Sequence, residues 1–515
     1  MYKYLKISRV LKLAAVYVLL VSCFSCKKYL EKTPEQNFQI TSLDYLKTAS
    51  DYQTMEVSVY TPLQWLNQVV PIGDIASDNA VAGGESASDV LDLQQIDDYT
   101  LTPVNGTLAN IWQFAYEGVN RANYLTQYKA ANPSGQAVDF PGKEAMYGEV
   151  YFLRAFYYFT LVKMWGDVPL FTDKRIDISA TGVIKRSPKA DVYLSIENDL
   201  NSAIDVLPAT QTQAGRPTKY AAQALLGKVF LYQQKYDSAA AVLQRVIGAN
   251  AFTLVPNYAS IFLLSGQNGP ESVFEIQYSS NGANSYAGEA PEQGPGNYQV
   301  QQCGVRNLTA SSSLMPYAAG YSTNLPTQDL ANAFSAGDQR KAATCLDIAA
   351  YAAANPSWNI QYEVAPYKNT GLYNQKYQPY NGQDATSGGA FQLNYPNNYR
   401  TIRYPDVLLM AAEALNQSKT ANDVQAQLYL NQVRRRAFHV TDASHDITLT
   451  GNALYLAIIN ERRLEFGMEG ERFFDLVRSG QAASVIPGFK AGKNEVFPIP
   501  QQEVVVAGLT QNLGY

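Results

Sequence analysis

The strongest constraint on this chain is a pair of helical-hairpin patterns whose apolar faces a single hairpin cannot bury. The stretch Leu226-Gly227-Lys228-Val229-Phe230 … Ala239 … Leu243 … Val246 follows the roughly 34-residue tetratricopeptide (TPR) template. Gly227 takes the small position where two helices cross closely, and Phe230 the large apolar position three residues on. Ala239 faces back from the second helix, with Leu243 one turn later and Gln234-Lys235-Tyr236-Asp237 as the turn. A second, slightly longer hairpin pattern runs over 408–437. It carries Ala411, Ala412 and Leu415 on one helix and Ala426, Leu430 and Val433 on the other. Further helices are predicted at 111–128, 143–165 and 191–207. In 143–165, Val150, Leu153, Phe156, Tyr157, Leu161 and Met164 recur at three- and four-residue steps. That aromatic stripe fits packing against the next helix better than a cofactor box. Hairpins of this kind bury their faces only by stacking, so the N-terminal half and the C-terminal hairpin are expected to build one scaffold.

Between about residues 250 and 399 the helical period disappears, and Gly, Pro, Asn, Ser and Tyr punctuate short runs. Val273-Phe274-Glu275-Ile276-Gln277-Tyr278 alternates like a strand. Residues 281–299 read as a long loop, the kind of segment that often carries function. The expected fold is mainly α: a TPR-type helical hairpin scaffold with a loop-rich, few-stranded irregular region packed on it.

The N-terminus is an address label. Lys3, Lys6, Arg9 and Lys12 precede nine apolar residues, Leu13 to Val21. A membrane-spanning helix needs about 20, so this is a secretory signal. In Leu20-Val21-Ser22-Cys23-Phe24-Ser25-Cys26 a small residue stands before each cysteine, as bacterial lipoprotein processing requires. Cys23 has Leu20 three residues upstream, whereas Cys26 leads into Lys27-Lys28-Tyr29-Leu30-Glu31. Cys303 and Cys345 remain, in a compartment where a disulfide persists; pairing and separate half-buried thiols are both open.

Composition removes several functions. With 40 Lys+Arg against 45 Asp+Glu, a formal net charge of −5, no basic stripe for nucleic acid is expected. Only 17% of residues are charged, against a typical ~25%; Asn, Gln, Ser, Thr and 37 tyrosines supply the remaining polarity, a surface tilted towards uncharged polar ligands. The two histidines, His439 and His445, lack partners at metal-ligand spacing and read as surface or capping residues. No GxxxxGK phosphate loop occurs.

Several blocks together resemble the SusD/RagB family of outer-membrane nutrient-binding lipoproteins. They are Gly148-Glu149-Val150-Tyr151-Phe152-Leu153-Arg154-Ala155, Trp165-Gly166-Asp167-Val168-Pro169-Leu170, Gly215-Arg216-Pro217-Thr218-Lys219-Tyr220, Arg403-Tyr404-Pro405-Asp406-Val407-Leu408, Asn460-Glu461-Arg462-Arg463-Leu464-Glu465-Phe466 with Arg472-Phe473-Phe474-Asp475-Leu476, and Phe497-Pro498-Ile499-Pro500. The family's acylated cysteine usually precedes an aromatic-Leu-acidic triplet, which favours Cys26, before Tyr29-Leu30-Glu31, over Cys23 as the lipidated residue. The resemblance implies a signal peptide at 1–25, an N-terminal TPR region at 26–250, a ligand-facing loop region at 251–400 and a C-terminal helical region at 401–515. It also implies a lipid-anchored, surface-exposed protein of the outer membrane. Such a protein captures an oligosaccharide or polysaccharide, less often a peptide, without cleaving it, and acts as a lid on a SusC-like TonB-dependent transporter. No cofactor is implied, and a structural calcium is left open.

The shared blocks are scaffold, so the ligand site is sought by side-chain chemistry. Tyr and Trp match the C–H faces of sugar rings while amides and carboxylates meet the hydroxyls. Trp112 and Trp165 fall in helical blocks. The expected site joins Trp65, Asp78 and Asn79 (within the Asp74-Ile75-Ala76-Ser77-Asp78-Asn79 stretch, followed by Gly83-Gly84) with Trp358, Tyr367, Tyr373 and Tyr377. The alternative, that these aromatics pack long loops onto the scaffold, stands beside it. A glycoside hydrolase would need two carboxyls flanking the bond. The acid-rich block Glu461, Glu465, Glu469, Glu471 and Asp475 is interleaved with Arg462, Arg463 and Arg472, which favours a structural charge network over catalysis. A bare TPR interaction module is the remaining rival, and the tyrosine-rich middle argues against it.

Overall fold

The computed structural model describes residues 45–175, 184–282, 284–286, 293–383 and 389–515. The signal segment, Cys23 and Cys26 lie outside the described residues. Among the described residues, 45–54 and Tyr128–Pro141 form a small unit of their own; within it the Tyr52 ring tilts on Phe140 at 5.7 Å and its hydroxyl donates to the Tyr128 carbonyl at 3.0 Å. The larger unit comprises residues 55–127 and 142–515.

The scaffold helices are α1 (Ala49–Trp65), α2 (Gly106–Gln127), α3 (Lys143–Trp165), α4 (Lys189–Val206), α5 (Lys219–Tyr232), α6 (Tyr236–Gly248), α7 (Tyr404–Gln417), α8 (Asp423–Phe438), α9 (Gly451–Phe466) and α10 (Arg472–Arg478). From α2 to α6 each helix packs on the next, α6 packs on α7, and α7 packs on both α8 and α9. The stack therefore continues across the loop-rich insertion, because the apolar face that α6 cannot bury against α5 is covered by α7. Local chemistry sets the ends. Thr218 caps α5 by accepting from the Ala221 amide at 3.2 Å, and Asn422 caps α8 by accepting from Gln425 at 3.1 Å. His439 closes α8 in the left-handed conformation, φ 54°, the capping role expected for it, and His445 stacks on Phe438.

Gly227 sits where α5 meets α6: a Cβ there would lie 2.5 Å from the Leu243 side chain, so only hydrogen fits without displacing that leucine. Ala239, Leu243 and Val246 are fully buried, whereas Phe230 stays half-buried at the rim. Arg154 of α3 pairs with Asp199 of α4 through two hydrogen bonds, 2.8 and 2.7 Å.

Three two-stranded antiparallel pairs involve the loop-rich region, one of them reaching back to residues 80–81. β1 (Ala80–Val81) pairs with β3 (Leu325–Pro326), β2 (Ser272–Ile276) with β6 (Tyr399–Arg403), and β4 (Cys345–Asp347) with β5 (Leu372–Asn374). β2 is the strand predicted from alternation. Short helices at Gln328–Ala333, Arg340–Thr344 and Ile348–Ala354 were not legible as periodicity, because one or two turns are too short to show a 3.6-residue repeat. Cys303 and Cys345 are separate buried thiols; Cys303 accepts from the Asn374 amide at 3.3 Å.

A buried ion network joins this region to the scaffold. Arg403 meets both oxygens of Glu469 at 2.9 and 2.7 Å, Glu465 at 2.9 Å and Glu271 at 3.0 Å. Arg436 contacts Glu271 and Glu465 at 2.7 and 2.5 Å. Arg340 contacts Asp338, Glu461 and Glu465 at 2.7, 2.7 and 3.2 Å, and Lys376 reaches Glu469 at 2.7 Å. Burial alone would raise the Glu465 carboxyl, but Arg436, Arg403 and Arg340 outweigh it and hold the group far below the usual carboxylate range. A second cluster links Lys228, Asp406, Arg462, Glu471 and Asp475.

Breaking one partner of such a network leaves buried charge uncompensated, at a cost of about 3–5 kcal/mol. Arg403→Met is therefore expected to lower the urea-unfolding free energy by that order. A loss below about 1 kcal/mol would mean the network contributes little.

Candidate ligand-binding surface

The chain from α1 to residue 97 positions most of the expected N-terminal site residues, and it turns them inward. Trp65, at the end of α1, is 7% exposed; its ring meets Phe114 edge-on at 5.4 Å and the Arg121 guanidinium lies 5.4 Å from its centre. Asp78 is held by Arg472 at 2.8 Å and Arg463 at 2.9 Å, and Asn79 accepts from Arg463 at 2.9 Å. Tyr373 and Tyr377 are buried, Tyr373 within the core formed by Val305, Leu325, Leu346 and Ile360. The structure therefore corrects the expectation for Trp65, Asp78, Asn79, Tyr373 and Tyr377. Core packing and site-building use the same residue types, and here burial and arginine pairing consume these side chains.

Gly84 of the first segment and Tyr367 of the second do meet. The Tyr367 amide donates to the Gly84 carbonyl at 3.0 Å, and the Gly84 amide to Ser322 at 2.8 Å. Arg306 gathers the surrounding charge: it pairs with Glu85 at 2.6 Å, approaches Glu363 at 3.5 Å and Asp89 at 3.8 Å, and donates to the Tyr321 carbonyl at 3.2 Å. Lys368 bridges Asp97 and Asp98, each at 2.6 Å. Tyr367 is half-buried at this junction.

Beside it stands a triad of tyrosines that sequence reasoning missed. Tyr298 lies 6.3 Å from Tyr286 and 6.5 Å from Tyr321, at interplanar angles of 76° and 75°. The Tyr286 and Tyr321 hydroxyls are 3.4 Å apart. Tyr286 is 48% exposed, and Tyr298 and Tyr321 are half-buried. Tyr298 opens the short helix Tyr298–Cys303, which Asn297 caps by accepting from the Gln299 amide at 3.1 Å. Burial, with the neighbouring tyrosines Tyr298 and Tyr321, raises the Tyr286 phenol well above its ordinary range. It therefore stays a neutral donor and acceptor. Edge-to-face rings, phenolic hydroxyls and a rim on which five carboxylates take up both cations, leaving none free for an anion, suit a polyhydroxylated ligand with apolar faces and no negative charge. The one sequence signal was the long 281–299 loop; the rings come from positions 286, 298 and 321, and no spacing announces them.

Trp358 stands apart from this triad, at the end of a different row of rings. Among the described residues no cluster of three or more His, Cys, Asp or Glu side chains is arranged to hold a metal ion.

Two family models match the chain. One, described as starch-binding associating with outer membrane, covers residues 28–231; the other, described as the SusD family, covers residues 351–515. SusD-like protein P2 of Formosa agariphila is 27% identical over 521 residues, spanning 95% of this chain and 96% of that protein. Among solved structures, a laminarin binding SusD-like protein aligns with a TM-score of 0.81 and 33% identity, over 91% of this chain and 100% of that one. Surface glycan-binding protein A from Bacteroides thetaiotaomicron, in complex with laminarihexaose, aligns with a TM-score of 0.77 and 28% identity, over 90% and 100% of the two chains.

Asp74, just before the ion-paired Asp78, supplies a pH test of this junction. It is fully buried and accepts from the Gly470 amide at 2.9 Å and the Asn324 amide at 3.1 Å. Burial lifts its carboxyl from 3.8 to about 7, only partly offset by those hydrogen bonds. A raised folded value means its contribution is complete below 3.8 and is lost as pH rises through about 7. Asp74→Asn is expected to flatten the decline in urea-unfolding free energy between pH 5 and pH 8.5 by on the order of 2–3 kcal/mol. Parallel pH profiles for the two proteins would contradict this.

Proposed function

Because the chain belongs to the SusD family, we propose that it is a non-catalytic outer-membrane lipoprotein that captures a neutral glycan and passes it to a SusC-like TonB-dependent transporter. The observation that carries the binding role is the Tyr286–Tyr298–Tyr321 triad beside the rim where Arg306 is taken up by Glu85, Asp89 and Glu363. Stacking on such rings desolvates sugar C–H faces, while phenol and amide groups take the hydroxyls. Relatives whose names carry laminarin and laminarihexaose make a glucan the first ligand to try.

Two further features support the reading. Glu461 and Glu465, one helical turn apart on α9, are occupied by Arg340, Arg434, Arg403 and Arg436. Glu465, held ionised by Arg436, Arg403 and Arg340, cannot deliver a proton to a leaving group, and the carboxylate of Glu461 is taken up by Arg340 and Arg434. No helix among the described residues is long and apolar enough to cross a membrane; the proposed tether is an acyl chain on Cys26, with Cys23 as the alternative. Tethering raises the local concentration beside the transporter, so modest affinity at the triad is enough.

Isothermal titration of the soluble chain from residue 27 with laminarihexaose is expected to show binding that Tyr321→Ala weakens at least about tenfold, near 1.4 kcal/mol. New reducing ends in that mixture, or binding of peptides but no glycan, would overturn the reading. In cells, Cys26→Ala is expected to abolish palmitate labelling and membrane sedimentation. Loss of labelling from Cys23→Ala instead would move the anchor to Cys23.

A further inference from the structure

A second row of rings lies in the loop-rich region. Trp358, Tyr351, Tyr317 and Tyr380 follow one another with centre-to-centre distances of 6.1, 5.3 and 5.3 Å and interplanar angles of 66°, 53° and 68°. Three unconnected stretches assemble it. Tyr317 and Tyr380 face each other across an antiparallel bridge. Tyr351 rides on the helix Ile348–Ala354, which Asp347 caps by accepting from the Ala350 amide at 2.9 Å. Trp358 ends the turn Pro356–Trp358, and its carbonyl accepts from both the amide and the hydroxyl of Ser311.

All four rings are half-buried. The buried parts of Tyr317, Tyr351 and Trp358 pack on the cluster containing Val305, Met315, Leu346 and Ile348. That packing fixes the rings before any ligand arrives, so little side-chain entropy is lost on binding. Tyr317, Tyr351 and Tyr380 line a cleft of about 560 Å³ together with Phe262, Gln339 and Gln375, a size within the ~300–1,000 Å³ typical of small-molecule sites. Gln375 donates to the Tyr380 hydroxyl at 3.2 Å, and its own carbonyl oxygen is buried with no partner among the described residues. Asp347 is the single charged residue in the lining, and its carboxylate is spent on the helix cap. Flat faces, amides and near-neutral walls define the same ligand chemistry as the triad.

The row is also within chain reach of the triad. Tyr317 and Tyr321 are four residues apart, so their Cα atoms are separated by at most roughly 14 Å. We propose that the cleft lined by Tyr351, Tyr317 and Tyr380, with Trp358 next to Tyr351 in the same row of rings, is a second carbohydrate subsite, engaged by the same linear glycan chain that lies on the tyrosine triad. This rests on the glycan-binding reading above. Joining two weak contacts through one ligand turns the second into an intramolecular event. The protein then prefers long chains over short ones.

The test compares laminaritriose with polymeric laminarin by isothermal titration. For the wild type, affinity per chain is expected to rise at least tenfold from trisaccharide to polymer. Tyr351→Ala removes a ring, and Ala342→Glu places a charged side chain on the exposed wall of the cleft without touching the row. Each is expected to cut that ratio at least fivefold while leaving laminaritriose affinity unchanged, with thermal melts confirming that both variants fold. A ratio that neither variant alters, with trisaccharide binding intact, overturns the second subsite and spares the triad. If the wild type binds neither laminaritriose nor laminarin nor any other glycan, the function itself falls, and the subsite with it.

Discussion

Glu465 receives three arginines in a space closed to water. Arg403 comes from the end of β6, Arg436 from α8 and Arg340 from the irregular region, and each is itself tied to a further carboxylate. Removing full charges from water costs several kcal/mol per ion, repaid only when each one is paired and hydrogen-bonded. The arrangement therefore tolerates one geometry. An apolar contact of equal area would let loops slide; a bidentate arginine does not.

That specificity matters because the loop-rich region has little secondary structure to hold it. Its strand pairs are short, two to five residues each, and helices of one or two turns have no independent stability. The ion network supplies fixed points instead. Glu271 anchors the entry to β2, Arg340 the approach to β4, and Lys376, held by Glu469, the exit from β5. Between the last two anchors run Tyr351, Trp358 and Tyr367, and Tyr380 follows four residues after Lys376. Rings that come from distant positions can form a row only if the backbone carrying them is held, and buried charge does that holding here.

The scaffold shows the opposite economy. Its helices were legible because an apolar stripe at the helical period has one use, to be covered, and a crossing glycine such as Gly227 has one reason, the 2.5 Å that a Cβ would leave to Leu243. The charged block at the end of α9 was legible only as a structural charge network: Arg462 does pair within it, with Asp475, but Arg463 and Arg472 turn to Asp78, and Glu461, Glu465 and Glu469 are met by Arg340, Arg434, Arg403, Arg436 and Lys376 from distant stretches. The site was not legible in the same way. A tyrosine reads alike in a core and on a platform: Tyr373 and Tyr377 went inside, while Tyr298 and Tyr321, unremarkable in sequence, became the half-exposed face. Asp78 and Asn79 have the chemistry of hydroxyl-binding residues, yet Arg463 and Arg472 reach them first, from nearly four hundred residues away.

Local pattern, then, was enough to determine the helical hairpins and their need to stack, because each depends on residues a few positions apart, and the order of several such local blocks along the chain was enough to mark the family. Tertiary structure alone decided which tyrosines face solution, which acids are consumed by arginines, and where the two ring clusters form. Those outcomes depend on long-range burial and charge pairing, whose partners lie tens to hundreds of residues apart and leave no period in the chain.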